Sequence, residues 1–315
     1  MRTLILTAND PHMENSWESE IKKSADVKIG IIYKEQTNVL LRVLRKIHRY
    51  LPLPGYQIWL DDWWNELDSV DTIIAIAYDS TYKIFKIIQK KYPNIRRILY
   101  WWDPVKKTIS PNRVSEKVCE KWSFCRRDAE EYGLKYNAQF LARDLDQYRY
   151  GINKEIKYDI MFFGVGGKKL YNQRVELLKA FDLICRHYNL KVCFGIKYFH
   201  KKDKEKPYAM EQYLNEKQYY EIVMQSRAML DLTEPGQEWV TLRPIEALYL
   251  NKKLVTNNTA ITGEKLYNPH NIFVIGRDSY DKLEQFIKSP FEAMPLEIYD
   301  YYSTKSWLKR FGENR

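Results

Sequence analysis

The chain has 315 residues, 45% of them hydrophobic, and a formal net charge of +10. This length predicts two domains of ordinary size, and the hydrophobic content excludes an intrinsically disordered chain. No apolar run approaches the roughly 20 residues that a transmembrane helix needs.

The amino-terminal run MRTLILTAND reads as a strand and lacks the features of a signal peptide, so we expect a cytoplasmic protein. The 4 cysteines lack zinc-ligand spacing, which favours reduced thiols and no bound metal. A basic excess attracts anions. The Lys and Arg residues are scattered rather than collected on one element, so no nucleic-acid partner is expected.

Short apolar runs alternate with amphipathic stretches in the first half of the chain, which predicts βαβ units and a parallel sheet. The predicted strands are Thr3–Thr7, Val27–Tyr33, Tyr56–Leu60, Thr72–Ala77 and Arg97–Trp101, and the predicted helices are Asn38–Tyr50 and Ser80–Tyr92.

The polar stretch 143–157 is a predicted linker, after which the alternation resumes. We therefore expect a first domain over residues 1–150, a second over 151–298, and a carboxy-terminal helical segment, 299–315, that packs back on the first domain. The predicted strands are Tyr158–Phe163, Leu190–Gly195, Ala228–Leu232, Lys253–Thr256 and Ile272–Ile275, and the predicted helices are Tyr171–Tyr188, Glu211–Gln225, Leu242–Leu250 and Tyr299–Phe311.

Two loops that follow strands of the second domain carry candidate binding residues. The first is a glycine-rich loop with Gly164, Gly166 and Gly167, followed by Lys168, Lys169 and Arg174. Glycines let a phosphate approach the backbone, and the next helix begins with a positive dipole end. A tight left-handed turn without a ligand explains the same glycines equally well.

The second loop, in the stretch DLTEPGQEWVTLRPIEALYL, contains Gln237 and Glu238 and leads into a helix with Thr241 as its predicted N-cap. Glu246 and Arg243 lie early in that helix. They favour a polyhydroxylated anion, since carboxylates accept hydrogen bonds from sugar hydroxyls and arginine binds phosphate. The alternative is that Glu246 only stabilises the helix dipole and Arg243 forms a surface ion pair.

The string SRAMLDLTEPGQEWVTLRPIEALYLNKKLVTNN resembles the Glu-x7-Glu region of GT-B glycosyltransferases of bacterial capsule, exopolysaccharide and lipopolysaccharide synthesis. KWSFCRRDAEEYGLKYNAQF and KLYNPHNIFVIGRD also fit this group. The resemblance implies an α/β protein with the GT-B fold, in which two Rossmann-like domains face each other across a cleft. Trp239 stands where the group commonly has glycine, and the usual Arg-x4-Lys phosphate pair is not evident.

The resemblance also implies roles for individual residues. Glu246 would bind the donor ribose and Glu238 would lie near the transferred sugar. Lys168, Lys169 or Arg174 would contact the pyrophosphate, with Arg243 as a further candidate. No metal or other cofactor would be needed, because basic side chains and helix dipoles stabilise the leaving nucleoside diphosphate.

The acceptor would bind to the first domain. In the loop after its first strand, Asp10 or His12 is a candidate general base, although Asp10-Pro11 is also a simple turn with His12 in solvent. Trp101 and Trp102 are candidates for an aromatic acceptor floor or for a cluster at the core edge.

These observations predict a metal-independent, retaining or inverting glycosyltransferase that moves a sugar from a nucleotide-sugar to a glycan or lipid-linked acceptor. The basic, aromatic-rich composition is compatible with peripheral contact with the inner face of the membrane. The alternative is a noncatalytic GT-B-like subunit that binds a partner glycosyltransferase or a glycan.

Overall fold

The computed structural model describes residues 2–7, 26–51, 53–141, 145–151, 155–166, 169–198, 205–233 and 239–313. The chain divides into two compact units. The first unit comprises Met1–Asp144 and Trp307–Arg315, and the second comprises Leu145–Ser306. Within the described ranges, no helix is both long enough and apolar enough to cross a membrane.

The first unit is built on a six-stranded sheet in the order β2-β1-β3-β4-β5-β6, with every neighbouring pair parallel. A parallel sheet covered on both faces needs continuously apolar strands, and all five residues of β3 are buried. The strands are β1 Thr3–Thr7, β2 Val27–Ile31, β3 Thr72–Ile76, β4 Arg96–Trp101, β5 Glu120–Ser123 and β6 Lys135–Tyr136.

Helices α1 Val39–Tyr50, α2 Asp79–Lys91 and α3 Arg126–Tyr132 belong to the first unit, together with the 3-10 helices Tyr56–Trp59 and Asp62–Ser69. The predicted strand at Tyr56–Leu60 is wrong. Gly55, at a φ of 80°, starts a 3-10 helix there, and Tyr56 and Trp59 are buried as its anchors. Aromatic and β-branched residues fit both a strand and such an anchor, which explains the error.

The second unit is built on a five-stranded parallel sheet in the order β11-β10-β9-β7-β8. Its strands are β7 Tyr158–Val165, β8 Val192–Lys197, β9 Ser226–Asp231, β10 Lys253–Thr256 and β11 Ile272–Val274. Its helices are α4 Asp146–Gly151, α5 Lys169–His187, α6 Glu216–Met224, α7 Leu242–Tyr249, α8 Leu283–Lys288 and α9 Leu296–Tyr301. Helix α4 lies in the predicted linker, where charged residues hid the pattern of a short helix.

The predicted helix at Tyr299–Phe311 is two helices, α9 and α10 Thr304–Glu313. Helix α10 carries Trp307 and Phe311, which are 0% and 2% exposed. Trp307 stacks on Phe140 with ring centroids 4.2 Å apart, and Phe311 meets Trp122 edge-on at 4.9 Å. Arg96 also donates a 2.7 Å hydrogen bond to the Phe311 carbonyl. The end of the chain therefore contributes to the core of the first unit.

Candidate functional site at the carboxyl edge of the second sheet

The strand order of the second sheet creates a gap between the carboxyl ends of β7 and β9. The crossover after β7 leads to β8 on one side, whereas the crossover after β9 leads to β10 on the other. Open α/β sheets bind ligands where neighbouring crossovers leave in opposite directions. This topology selects the ends of β7 and β9 as the candidate site.

The Arg243 side chain from α7 spans this gap. Its two terminal nitrogens donate to the carbonyl oxygens of Leu230 in β9, at 3.0 Å, and Phe163 in β7, at 2.8 Å. The backbone pairing between β7 and β9 ends at Met161 and Met229. The guanidinium therefore donates to carbonyl oxygens that lie beyond the last residue pair of the two strands. Arg243 therefore does not form the surface ion pair that the simpler interpretation expected.

Asp231, at the end of β9, is a carboxylate that our sequence interpretation did not select. It is 4% exposed. Its two oxygens accept hydrogen bonds from the hydroxyls of Thr241, at 3.3 Å, and Thr256, at 3.1 Å. Burial raises the pKa of Asp231, against the opposing effects of Arg243, the two threonines and Arg174. A buried acid, a guanidinium and two hydroxyls thus form one polar cluster, which we call the strand-end cluster.

Thr241 precedes α7 as predicted, but its side chain makes no capping hydrogen bond. Its hydroxyl donates to Asp231 instead. Thr241 therefore links α7 to the end of β9, which local N-cap preference does not anticipate.

Glu246 lies in the second turn of α7 rather than the first. It is 8% exposed, and its Oε1 accepts a 3.0 Å hydrogen bond from the Tyr220 hydroxyl. The Tyr220 ring stacks on Tyr148, with centroids 4.3 Å apart. The interpretation of Glu246 as a simple partner of the helix dipole is therefore wrong. The side chain is held by a buried tyrosine from α6.

Two asparagines after β10 fix the loops beside the cluster. Asn257 accepts from the Thr233 amide at 2.7 Å and donates to the Thr233 carbonyl at 3.0 Å. Asn258 donates to the Trp239 carbonyl at 2.8 Å. These bonds fix the backbone of Thr233 and of Trp239 to the end of β10. The pair NN after a buried strand was the available sequence signal for this role.

Gly164 and Gly166 are glycines because of close packing. Gly164 belongs to β7, so the strand is longer than predicted. A Cβ on Gly164 would lie 2.8 Å from the Phe162 ring, and one on Gly166 would lie 2.6 Å from both Ile196 and Tyr198. The left-handed turn proposed as the simpler alternative is absent at these two positions, since neither has a positive φ.

Arg174 in α5 approaches the same corner. Its Cδ would lie 3.8 Å from a Cβ on Gly164, and its charge lowers the pKa of Asp231. Arg174, Thr241 and Arg243 thus all act on one carboxylate. Lys169 begins α5. The other predicted site residues lie outside the described residues: Asp10, His12, Gly167, Lys168, Gln237 and Glu238.

The carboxyl edge of the first sheet has a cavity of about 1090 Å³. Tyr33, after β2, and Tyr78, after β3, contribute to its lining, as do Arg45 and Arg49 of α1 and Lys86 of α2. The lining is mainly aromatic and cationic, which suits an anionic or sugar-bearing ligand. Trp101 is not part of it, because this side chain is 0% exposed and donates to the Ile109 carbonyl in the core.

No group of three or more His, Cys, Asp or Glu residues suited to a metal occurs in the part of the chain that the structure describes. No protein-family model and no curated protein sequence matches the chain.

Solved structures show the fold. Two parallel sheets with flanking helices, one in each unit, define the GT-B fold, which confirms this prediction. An α-glucosyltransferase in complex with UDP and a 13-mer DNA is similar over 98% of this chain and 94% of its own, at 12% identity and a TM-score of 0.52. A UDP-GlcNAc 2-epimerase from Neisseria meningitidis bound to UDP-GlcNAc is similar over 100% of this chain and 99% of its own, at 10% identity and a TM-score of 0.52. The trehalose-6-phosphate phosphatase N-terminal domain of Candida albicans is similar over 99% of this chain and 88% of its own, also at 10% identity and a TM-score of 0.52.

Proposed function

We propose that the chain is a glycosyltransferase that takes its sugar from a nucleotide-sugar bound at the strand-end cluster. The observation that carries the proposal is the position of the cluster. In a chain with the GT-B fold, Asp231, Thr241 and Arg243 meet at the gap between β7 and β9. That two structural neighbours hold UDP or UDP-GlcNAc supports a nucleotide ligand for this chain as well.

In this proposal Glu246 accepts hydrogen bonds from the donor ribose. The Tyr220 hydroxyl already occupies Oε1 and fixes the orientation of the carboxylate. Preorganised acceptors bind hydroxyls without losing side-chain entropy on binding. Arg174 and Lys169 supply positive charge for the pyrophosphate, and Arg243 holds the two strand ends at the distance that the ligand requires. Glu238 contacts the transferred sugar, and Gln237, its neighbour in the sequence, is a further donor-binding residue.

The acceptor is a glycan or a lipid-linked oligosaccharide of a bacterial surface polysaccharide, and Asp10 or His12 is the proposed base. Charge stabilisation by arginine and lysine makes a metal unnecessary for departure of the nucleoside diphosphate. The cavity of the first unit, with its tyrosines and cations, supports an acceptor of this chemistry.

A noncatalytic GT-B-like subunit is the second candidate. It is favoured by the use of Arg243 as a cross-strand brace, because the same contacts serve a purely structural role. A structural brace predicts stability without nucleotide binding, which separates the two candidates.

The test is a thermal-shift and turnover screen with UDP-, GDP-, dTDP- and CMP-sugars, with and without EDTA. A ligand at 100 times its Kd stabilises the protein by about 2.7 kcal/mol. We expect one nucleotide class to stabilise the wild type and Glu246→Gln to lose this effect. Glu297→Gln is the matched control, since Glu297 is an exposed residue of α9.

Failure of every nucleotide to shift the melting temperature would contradict the donor site and favour the noncatalytic subunit. Turnover that EDTA abolishes would contradict the metal-independent mechanism alone. Nucleotide binding without transfer to any glycan would place the chain among nucleotide-sugar binders and contradict transferase activity.

A further inference from the structure

Helix α1 carries apolar side chains that the described part of the chain does not cover. The exposed fractions are 63% for Val39, 65% for Leu40, 45% for Val43, 43% for Leu44 and 49% for Ile47. At about 100° per residue, these five side chains lie within about 140° of one side of the helix. A helix of a globular protein normally turns such a side towards the core. Here it points away from the unit.

The polar side of α1 attaches the helix to the first unit. The Trp59 indole donates a 2.9 Å hydrogen bond to His48 Nδ1. The Arg45 guanidinium lies 4.7 Å from the centroid of the Tyr33 ring. Arg45 lies about 160° around the helix from Val43 and from Ile47, so its attachment to Tyr33 turns the apolar side outwards.

Lys83 of α2 fixes the carboxyl end of α1. Its ammonium donates to the carbonyl oxygens of His48, Arg49 and Leu51, at 2.8, 2.9 and 2.9 Å. Three hydrogen bonds to the last turn satisfy groups that a helix end otherwise leaves to water. The outward orientation of the apolar side is therefore a built feature of this unit.

The charges of α1 are all positive. Its sequence, VLLRVLRKIHRY, has no acidic residue, and at about 100° per residue Arg42 and Lys46 form a band of cations beside the apolar side. Arg45 and Arg49 instead turn towards the cavity of the unit. Lys86 and Arg113 line the adjoining cavity with Arg45 and Arg49. An exposed apolar side flanked by cations is typical of helices that lie in the headgroup region of anionic bilayers.

We propose that α1 is the docking surface of this chain for a lipid bilayer that carries anionic headgroups. Val39, Leu40, Val43, Leu44 and Ile47 enter the acyl boundary, and the band of cations contacts the lipid phosphates. A second copy fits this face less well, because pairing two α1 helices would bring like charges together. The proposal does not depend on the nucleotide-sugar site, since it concerns an element of the other unit.

The test is flotation of the full chain with vesicles of phosphatidylcholine alone or with a third of phosphatidylglycerol. We expect at least about tenfold stronger binding to the anionic vesicles, falling as salt is added. The double variant Leu40→Asp with Leu44→Asp should lose about tenfold or more of this binding. Leu296→Asp is the matched control, because Leu296 is 85% exposed on α9, and its binding should equal that of the wild type.

A circular-dichroism melt of each variant verifies that it is folded. Absence of wild-type binding to anionic vesicles would overturn the proposal, as would equal binding by the double variant. Light scattering tests the alternative that a second copy of the chain binds α1. A wild-type dimer that the double variant converts to a monomer would assign this face to the second copy and overturn the proposal. Loss of nucleotide binding without loss of vesicle binding would contradict only the donor site.

Discussion

The strand-end cluster and helix α1 use arginines in opposite ways. In the cluster, Arg243 reaches two strand carbonyls beside the buried Asp231, and the surrounding hydroxyls bind the same carboxylate. In α1, Arg45 packs on Tyr33 while the apolar residues face outwards. In the strand-end cluster, charged groups that are buried and hydrogen-bonded stabilise a corner of the fold. In α1, apolar side chains that face outwards leave a surface to which a partner can bind. This contrast predicts large effects of substitution in the cluster and small effects on α1.

Arg243→Met should have the largest effect on stability. The change removes two hydrogen bonds from a charged donor to the Leu230 and Phe163 carbonyls, each worth about 1.5–3 kcal/mol, and withdraws one of the two arginines that act on buried Asp231. Chemical denaturation of the variant would measure the loss. Arg277→Met is the control, since the Arg277 side chain is 50% exposed. A loss equal to that of the control would show that Arg243 is not a brace.

The same variant should show a pH dependence with a defined sign. Burial already raises the pKa of Asp231, and Arg243 opposes this shift. Removing Arg243 raises that pKa further, so the variant takes up a proton at higher pH than the wild type. Its deficit in unfolding free energy should be greatest near neutral pH and should shrink as the pH falls. A deficit independent of pH would exclude Asp231 as its cause.

Tyr220→Phe should have an intermediate effect. It removes the hydrogen bond to buried Glu246, and bonds to charged groups contribute about 1.5–3 kcal/mol. We also expect weaker nucleotide binding, since Glu246 loses its fixed orientation. Denaturation and nucleotide titration provide the two measurements. Tyr150→Phe, at a residue 72% exposed, should change neither.

Lys83→Met should release the end of α1 with a smaller loss, about 1 kcal/mol, because two of the three hydrogen bonds of Lys83 are exposed to water. Amides in the last turn of α1 should exchange hydrogen faster while the strands of the sheet keep their protection. Lys90→Met, an exposed residue of the same α2, serves as the control. Unchanged exchange in α1 would show that the three carbonyl contacts do not hold the helix.

Leu44→Asp should change the unfolding free energy least, within about 0.5 kcal/mol, because this residue of α1 packs on no core. Ile84→Asp in α2, at a residue 0% exposed, should by contrast unfold the first unit. Thermal melts of both variants compare the two helices directly. A large loss for Leu44→Asp would mean that the fold itself covers α1.

The sequence determined nine of the eleven described strands and the longer helices, because apolar runs of period 2 and 3.6 are local properties of the chain. It missed the short strands β5 and β6 and placed a strand wrongly at Tyr56–Leu60. It also identified Thr241, Arg243 and Glu246, through chemistry concentrated in one loop and helix. Their partners Asp231 and Tyr220 escaped notice. Asp231 ends an apolar strand and Tyr220 lies among apolar helix positions, so neither differs locally from a structural residue.

Only the tertiary structure decided how these groups meet. Arg174, Arg243 and Asp231 are separated by dozens of residues or lie on different elements, and the crossover directions of the sheet bring them to one edge. The tertiary structure likewise decided the fate of α1. Its period predicts an apolar face but not the direction of that face, which depends on the contacts of His48, Arg45 and Lys83. Periodicity is encoded in neighbouring residues, whereas orientation is a property of contacts between distant ones.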